Sequence, residues 1–166
     1  MKQIQTISPC LWFDGKGEAA AKFYTGIFKN SKITAVSRYT EAGKDIHGQK
    51  PGSVMTVAFE LAGQSFTALN GGPLFKFTEA ISLQVNCDTQ KEVDHYWNKL
   101  SKGADKSFQQ CGWLKDKFGV SWQVVPRILP EFLLDRDSAK AAQTMAAMMK
   151  MKKLDIAKLK KAHGGK

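Results

Sequence analysis

A long internal repeat limits the fold of this chain more than any other feature. A shift of 73 residues carries Ala20, Phe23, Tyr24 and Ile27 onto Val93, Tyr96, Trp97 and Leu100, in order and at helical spacing. Each of these helices follows a strand-like run, residues 7–13 in the first half and 81–86 in the second. Further β-branched and aromatic runs come after each helix, at 33–39, 53–61 and 64–69, then at 106–110, 113–117 and 121–125. Ala62-Gly63 and Asn70-Gly71-Gly72-Pro73 supply turns, and Thr89 is placed to cap the second helix. Each half therefore reads βαβββ. A repeat of this length predicts two tandem modules, not one continuous parallel sheet.

Strand alternation assigns the faces. In the second half Ile81, Leu83 and Val85 point to the helix, which leaves Ser82, Gln84 and Asn86 on the other side. In the first half Ile7, Leu11 and Phe13 face the helix, while Ser8, Cys10 and Trp12 turn away. Ser121 and Gln123 likewise oppose Trp122 and Val124. Curled sheets with polar groups on their concave side enclose a lined cavity. Burying those hydroxyls and amides unpaired would cost about 1–3 kcal/mol each, so water or a ligand is expected there. The candidate ligand contacts are Trp12, Asn70, Gln84, Asn86, Trp113 and Gln123, whose ring faces and amides suit a small polar or aromatic compound. No catalytic residue is assigned.

Several segments carry a resemblance to a known family. They are Pro9-Cys10-Leu11-Trp12-Phe13, Ala20-Ala21-Lys22-Phe23-Tyr24, the run from Phe66 through Pro73, Cys111-Gly112-Trp113-Leu114-Lys115-Asp116 and the run from Phe118 through Pro126. With the Met- and Lys-rich terminal segment, they make the chain similar to the glyoxalase/bleomycin-resistance, or vicinal oxygen chelate, superfamily. Within it the chain resembles the PhnB-like branch, whose members carry the label 3-demethylubiquinone-9 3-methyltransferase domain. The resemblance implies an α+β fold in which two βαβββ modules form an eight-stranded incomplete barrel, with C-terminal helices, around a small-molecule cavity. It also implies a homodimer. Residues 1–166 then form a single glyoxalase-like domain: module one at about 1–73, module two at about 79–126 and a helical extension at about 130–163.

Superfamily enzymes commonly hold a divalent metal with one His, Glu or Gln side chain from each of four strands. The resemblance carries those positions onto Ser8, Thr67 or Ala68, Ala80 and Gln123. Only Gln123 is a plausible ligand, and one neutral amide cannot hold such an ion against water. No metal and no cofactor is expected.

The formal charge of +10 invites a nucleic-acid reading, but seven of those charges lie in residues 140–166, where eight lysines meet one acid, Asp155. There Met145, Met148, Met149, Leu154, Ile156 and Leu159 recur as an apolar stripe beside the lysines, which suits a docking helix with a solvated basic face. No arginine or aromatic residue interleaves with these lysines, so nucleic acid is not the expected partner. Three widely spaced cysteines, Cys10, Cys87 and Cys111, without a Cys-x-x-Cys pair, fit a reducing cytoplasm. No run approaches the ~20 apolar residues of a membrane span, and the polar start shows no signal peptide.

Gly15-Lys16-Gly17-Glu18-Ala19-Ala20 matches a dinucleotide or S-adenosylmethionine loop signature. The equivalent turn Cys87-Asp88-Thr89-Gln90 makes the same connection without glycine, so a plain turn is expected and the methyltransferase label gains no support. His47, His95 and His163 fall in a loop, a helix and the tail, without metal or triad spacing. The expected function is binding of an unidentified small molecule. The alternatives are a lyase or isomerase of the superfamily, with a recruited metal or none, and an interaction module built on the basic C-terminal helix.

Overall fold

The computed structural model describes residues 5–165. The chain divides into two compact units between Phe77 and Thr78.

The first unit holds β1 (Cys10–Phe13), α1 (Gly17–Thr25), β2 (Lys32–Arg38), a short α2 (Lys44–His47), β3 (Val54–Leu61) and β4 (Gln64–Asn70). Its sheet runs β1-β4-β3-β2, with β1 parallel to β4 and the other neighbours antiparallel. The expected hairpin turns at Ala62 and Gly63, both at positive φ (48° and 88°), the geometry whose twist matches that of paired strands. Leu11, Phe13, Val57, Phe59, Phe66 and Ala68 are buried with Ala20, Ala21, Tyr24 and Ile27.

The second unit repeats this plan with β5 (Leu83–Cys87), α3 (Gln90–Leu100), β6 (Trp113–Lys115) and β7 (Ser121–Pro126). Its sheet runs β5-β7-β6, again with the first strand parallel to the last and the middle one antiparallel. Val93, Trp97 and Leu100 of α3 are buried, as are Val85, Trp122 and Val124. Thr89 caps α3 in a full capping box with Glu92. The fold is the α+β, glyoxalase-like arrangement of duplicated modules expected from the repeat.

Four expectations need correction. Residues 106–110 do not form a strand: Lys106–Phe108 is a 3-10 turn, because the Asp105 carboxylate accepts the Ser107 amide at 2.9 Å and bends the chain. The described residues therefore hold four plus three strands, not eight. Residues 113–117 stop being a strand after Lys115, where Asp116 begins a turn. Ile7 and Ile81 do not pack on the helices; they precede β1 and β5 and stand 85% and 80% exposed. Finally, the terminal segment is not one docking helix. It forms α4 (Ile128–Leu133), α5 (Ser138–Met148) and α6 (Ile156–Gly164), with Asp137 and Asp155 capping the last two. Leu154 and Leu159 are buried with Val125 and Leu129, and Met148 and Met151 pack against that cluster. Most of the apolar stripe is thus satisfied within the chain, leaving Met145 and Met149 outermost.

Candidate functional site

The polar face of the second sheet is set by register. Gln84 of β5 lies beside Gln123 of β7, and Gln123 lies beside Trp113 of β6. Gln84, Gln123 and Trp113 therefore form a row across all three strands. Asn86 stands two residues from Gln84 on the same face, and its Oδ1 accepts from Gln84 Nε2 at 2.8 Å. Gln123 Nε2 donates to Ser82 Oγ at 2.8 Å. These bonds orient the amides and leave Gln84 Oε1, Gln123 Oε1 and Asn86 Nδ2 as the groups a ligand would meet. Trp113, 37% exposed, adds an open ring and an indole N–H.

Ser121 shares this face by alternation. It is 3% exposed, and its Oγ is a buried polar atom without a hydrogen-bond partner. Lys115, paired in register with Ser121, bonds Glu79 at 2.6 Å and lies 4.5 Å from the Phe108 ring centre. The Lys115 hydrogen bond holds the Glu79 carboxyl below the usual glutamate range. Val125, next on the face, belongs to the cluster of the C-terminal helices, which close that end of the strand. Sequence alternation put Ser121 on this face without naming it a ligand contact, and it left Lys115 unmentioned although alternation with Trp113 points to it.

The first module treats its two candidates differently. Trp12 lies on the face turned away from α1. Its Nε1 donates to Gly72 O at 2.8 Å and its ring makes a T-shaped contact with Phe75 at 4.9 Å, so its N–H is already used and the ring is half-buried. A Cβ at Gly71 would collide with the Trp12 ring, which explains the glycine there. Asn70 falls on the opposite face, with Phe66 and Ala68 toward α1, and is 6% exposed. Its Oδ1 accepts the Gly17 amide at 2.8 Å and its Nδ2 donates to Val54 O at 3.0 Å. Tyr39 Oη donates to Asn70 O at 2.7 Å. Asn70 is therefore a joint between α1, β3 and β4, and the physical reason is its place on the helix side of β4.

The same contact settles the glycine-rich turn. Gly15 takes φ +69°, and the Gly17 amide, which a phosphate would need, is held by Asn70. A Cβ on Gly17 would lie 2.9 Å from Asn70 Oδ1. Gly17 is there for close packing.

The metal positions carried by the resemblance do not offer a fitting donor set. Ser8 and Ala80 precede their strands, Ala68 and Ala80 have no donor, Thr67 offers only a neutral hydroxyl, and Gln123 Oε1 is a single neutral amide oxygen. Among the described residues no three His, Cys, Asp or Glu side chains are grouped to hold a metal ion. What the sheet face offers is amide hydrogen bonding beside an aromatic ring, with its Lys115 ammonium already paired with Glu79. A buried carboxylate does occur in this unit, at Asp116, but it is spent on structure. Oδ1 accepts the Phe118 and Val120 amides at 2.8 and 3.1 Å, and Oδ2 accepts Trp122 Nε1 at 2.8 Å.

Paired modules of this topology define a glyoxalase-fold protein of the vicinal oxygen chelate superfamily. More narrowly, the 3-demethylubiquinone-9 3-methyltransferase family model matches residues 5–125, and the chain belongs to that PhnB-like family. The PhnB protein from Bacillus cereus is 37% identical, with a TM-score of 0.64 over 74% of this chain and 99% of that one. Protein PA1353 from Pseudomonas aeruginosa shares the fold at 19% identity, with a TM-score of 0.56 over 75% of this chain and 98% of that one. No curated protein matches the chain.

Proposed function

We propose that this chain binds a small, uncharged, hydrogen-bonding compound, with no metal ion, on the polar face of its second sheet. The observation that carries this reading is the row Gln84–Gln123–Trp113 beside a buried Ser121 hydroxyl that lacks a partner. An unpaired buried hydroxyl costs about 1–3 kcal/mol, and because Ser121 Oγ is closed to solvent, a ligand or water atom recovers that cost only when the side chains over it move aside. Gln84 Oε1 and Gln123 Oε1 accept from the ligand, Asn86 Nδ2 donates to it, and Trp113 stacks on an aromatic or planar part. Trp12 belongs to the first module and is not part of this set. Asn70 serves the interior of its own module, so the ligand set here is narrower than the six residues expected from sequence.

The test is a thermal-shift screen of neutral heteroaromatic and amide compounds against protein stripped with a chelator, repeated with Mn²⁺, Ni²⁺ and Zn²⁺. Hits should raise the melting temperature without added metal and should lose their effect in Gln123→Ala and Gln84→Ala. Hits that appear only with a divalent ion, or that ignore both substitutions, would overturn the reading. A homodimer belongs to the same proposal. Its support is the resemblance together with the outermost Met145 and Met149, and light scattering that finds a monomer at micromolar concentration would refute it.

A further inference from the structure

We propose that the C-terminal helices form a docking groove for an acidic amphipathic helix of another protein. This goes beyond the sheet-face reading and stands without it. The family match ends at residue 125, and α4 begins at Ile128. The Bacillus cereus protein is covered over 99% of its length by 74% of this chain, so a quarter of this chain has no counterpart there. The helical extension is therefore an addition to the paired modules, with a surface of its own.

Helices α5 and α6 run antiparallel. Thr144, in the second half of α5, meets His163, late in α6, at 3.3 Å, while Lys150 just past α5 and Lys158 early in α6 line one depression. Between them lies an open groove of about 750 Å³. One wall presents Ala146, Ala147 and Lys150, the other Lys158, Lys161 and Ala162. Both walls thus combine alanines with lysines, and Gln143, Met151 and Gly165 complete the lining. Alanines let a further helix approach closely, on the side of α5 and α6 not already covered by α4, whose Leu129 and Phe132 pack against Leu159 and His163.

Charge decides the partner. Lys158 has Asp155 at 3.6 Å, a distant exposed contact, while no ion pair engages Lys150 or Lys161 among the described residues. Lys150 and Lys158 also border a second hollow of about 440 Å³, where Lys153 is paired with Asp94 at 2.6 Å and Asp155 adds a second carboxylate, so the excess positive charge belongs to the groove itself. A helix that pairs an apolar stripe with flanking glutamates satisfies both alanines and lysines. A second copy of this groove does not, because it would bring lysines together. A phosphate backbone would leave the alanines unused, and no arginine or aromatic side chain lines the groove.

The probe is a fluorescein-labelled peptide of about 18 residues, long enough to run the groove, with Leu and Ala at i, i+3, i+4 and i+7 and Glu on both flanks. Its anisotropy is followed with the full chain. The expected result is saturable binding that Lys150→Glu/Lys161→Glu weakens by about tenfold or more, while Lys29→Glu/Lys32→Glu, with the same change in net charge, leaves it unaltered. Unchanged circular dichroism of both variants guards against misfolding. A scrambled peptide of the same composition should bind at least tenfold more weakly. Four results would overturn the proposal: absent binding, equal binding of the scrambled peptide, equal loss in both double variants, or groove-dependent binding of duplex DNA or phosphatidylserine vesicles in place of the peptide.

Discussion

Replacing Asn70 by alanine tests whether that residue is a structural joint or a ligand contact. The substitution strands two buried backbone groups at once, the Gly17 N–H and the Val54 carbonyl. Each unpaired group costs about 1–3 kcal/mol, so the loss should total roughly 2–6 kcal/mol. For a chain of this size each kcal/mol lowers the melting temperature by about 2–4 °C, so a fall on the order of 10 °C is expected. Helix α1 has no side-chain cap of its own at Lys16, so its first turn should also lose amide protection in hydrogen exchange. Asn70→Asp separates the two bonds. It keeps the acceptor for Gly17 but turns an oxygen toward Val54 O. Its deficit should shrink as pH falls, because a protonated carboxyl can donate to that carbonyl while a carboxylate cannot. Differential scanning calorimetry at several pH values reads both effects. A melting temperature for Asn70→Ala within about 1 °C of the parent, coupled to loss of ligand-induced stabilisation, would refute the assignment.

Other outcomes follow from the same bookkeeping of partners. Asp116→Ala should destabilise by about 3–5 kcal/mol and change the near-ultraviolet dichroism of Trp122, since two backbone amides and the indole N–H lose a buried acceptor. Gly17→Ala should cost stability through the approach to Asn70 Oδ1 and Ala68, a loss that Asn70→Ala should partly relieve. The hydrogen bond from Lys153 holds the Asp94 carboxyl below the ordinary aspartate range. The stabilisation is fully present above the unfolded aspartate pKa and lost as pH falls through the lower folded value, so parent and Asp94→Asn should converge in acid denaturation profiles. Burial pushes the Cys87 thiol up to about 12. A disulfide reagent at mildly alkaline pH should therefore leave Cys87 unmodified in the native protein, react with exposed Cys10, and reach Cys87 only after denaturation.

The duplicated plan was legible because it rests on local periodicity: the four matched helix positions and the Thr89 cap needed no long-range information. The polar row was legible for a related reason, since alternation in β7 places Gln123 opposite Trp122 whatever the register. Register itself was not readable, and it decides which residues meet. Asn70 sits one residue past the expected end of its strand, and that single position puts it on the helix side of β4. Asp116 looked like a strand residue until its carboxylate folded back on Phe118 and Val120, although Asp-x-x-Gly at 116–119 is a turn signal that could have been weighed. The terminal helix broke because Asp155 prefers to cap a new helix, a preference that only the buried positions of Leu154 and Leu159 make visible.

The two matched helices begin in different ways, and this bears on the order in which the chain acquires structure. Thr89 and Glu92 complete the start of α3 from within four residues, so that turn can nucleate while the rest of the chain is still unorganised. The start of α1 waits for Asn70, 53 residues downstream, and so must bear the entropy of a long loop before its first amide finds an acceptor. Pulse-labelled exchange during refolding should find the amides of α3 shielded before that of Gly17; simultaneous protection would show that sequence distance does not time this duplication.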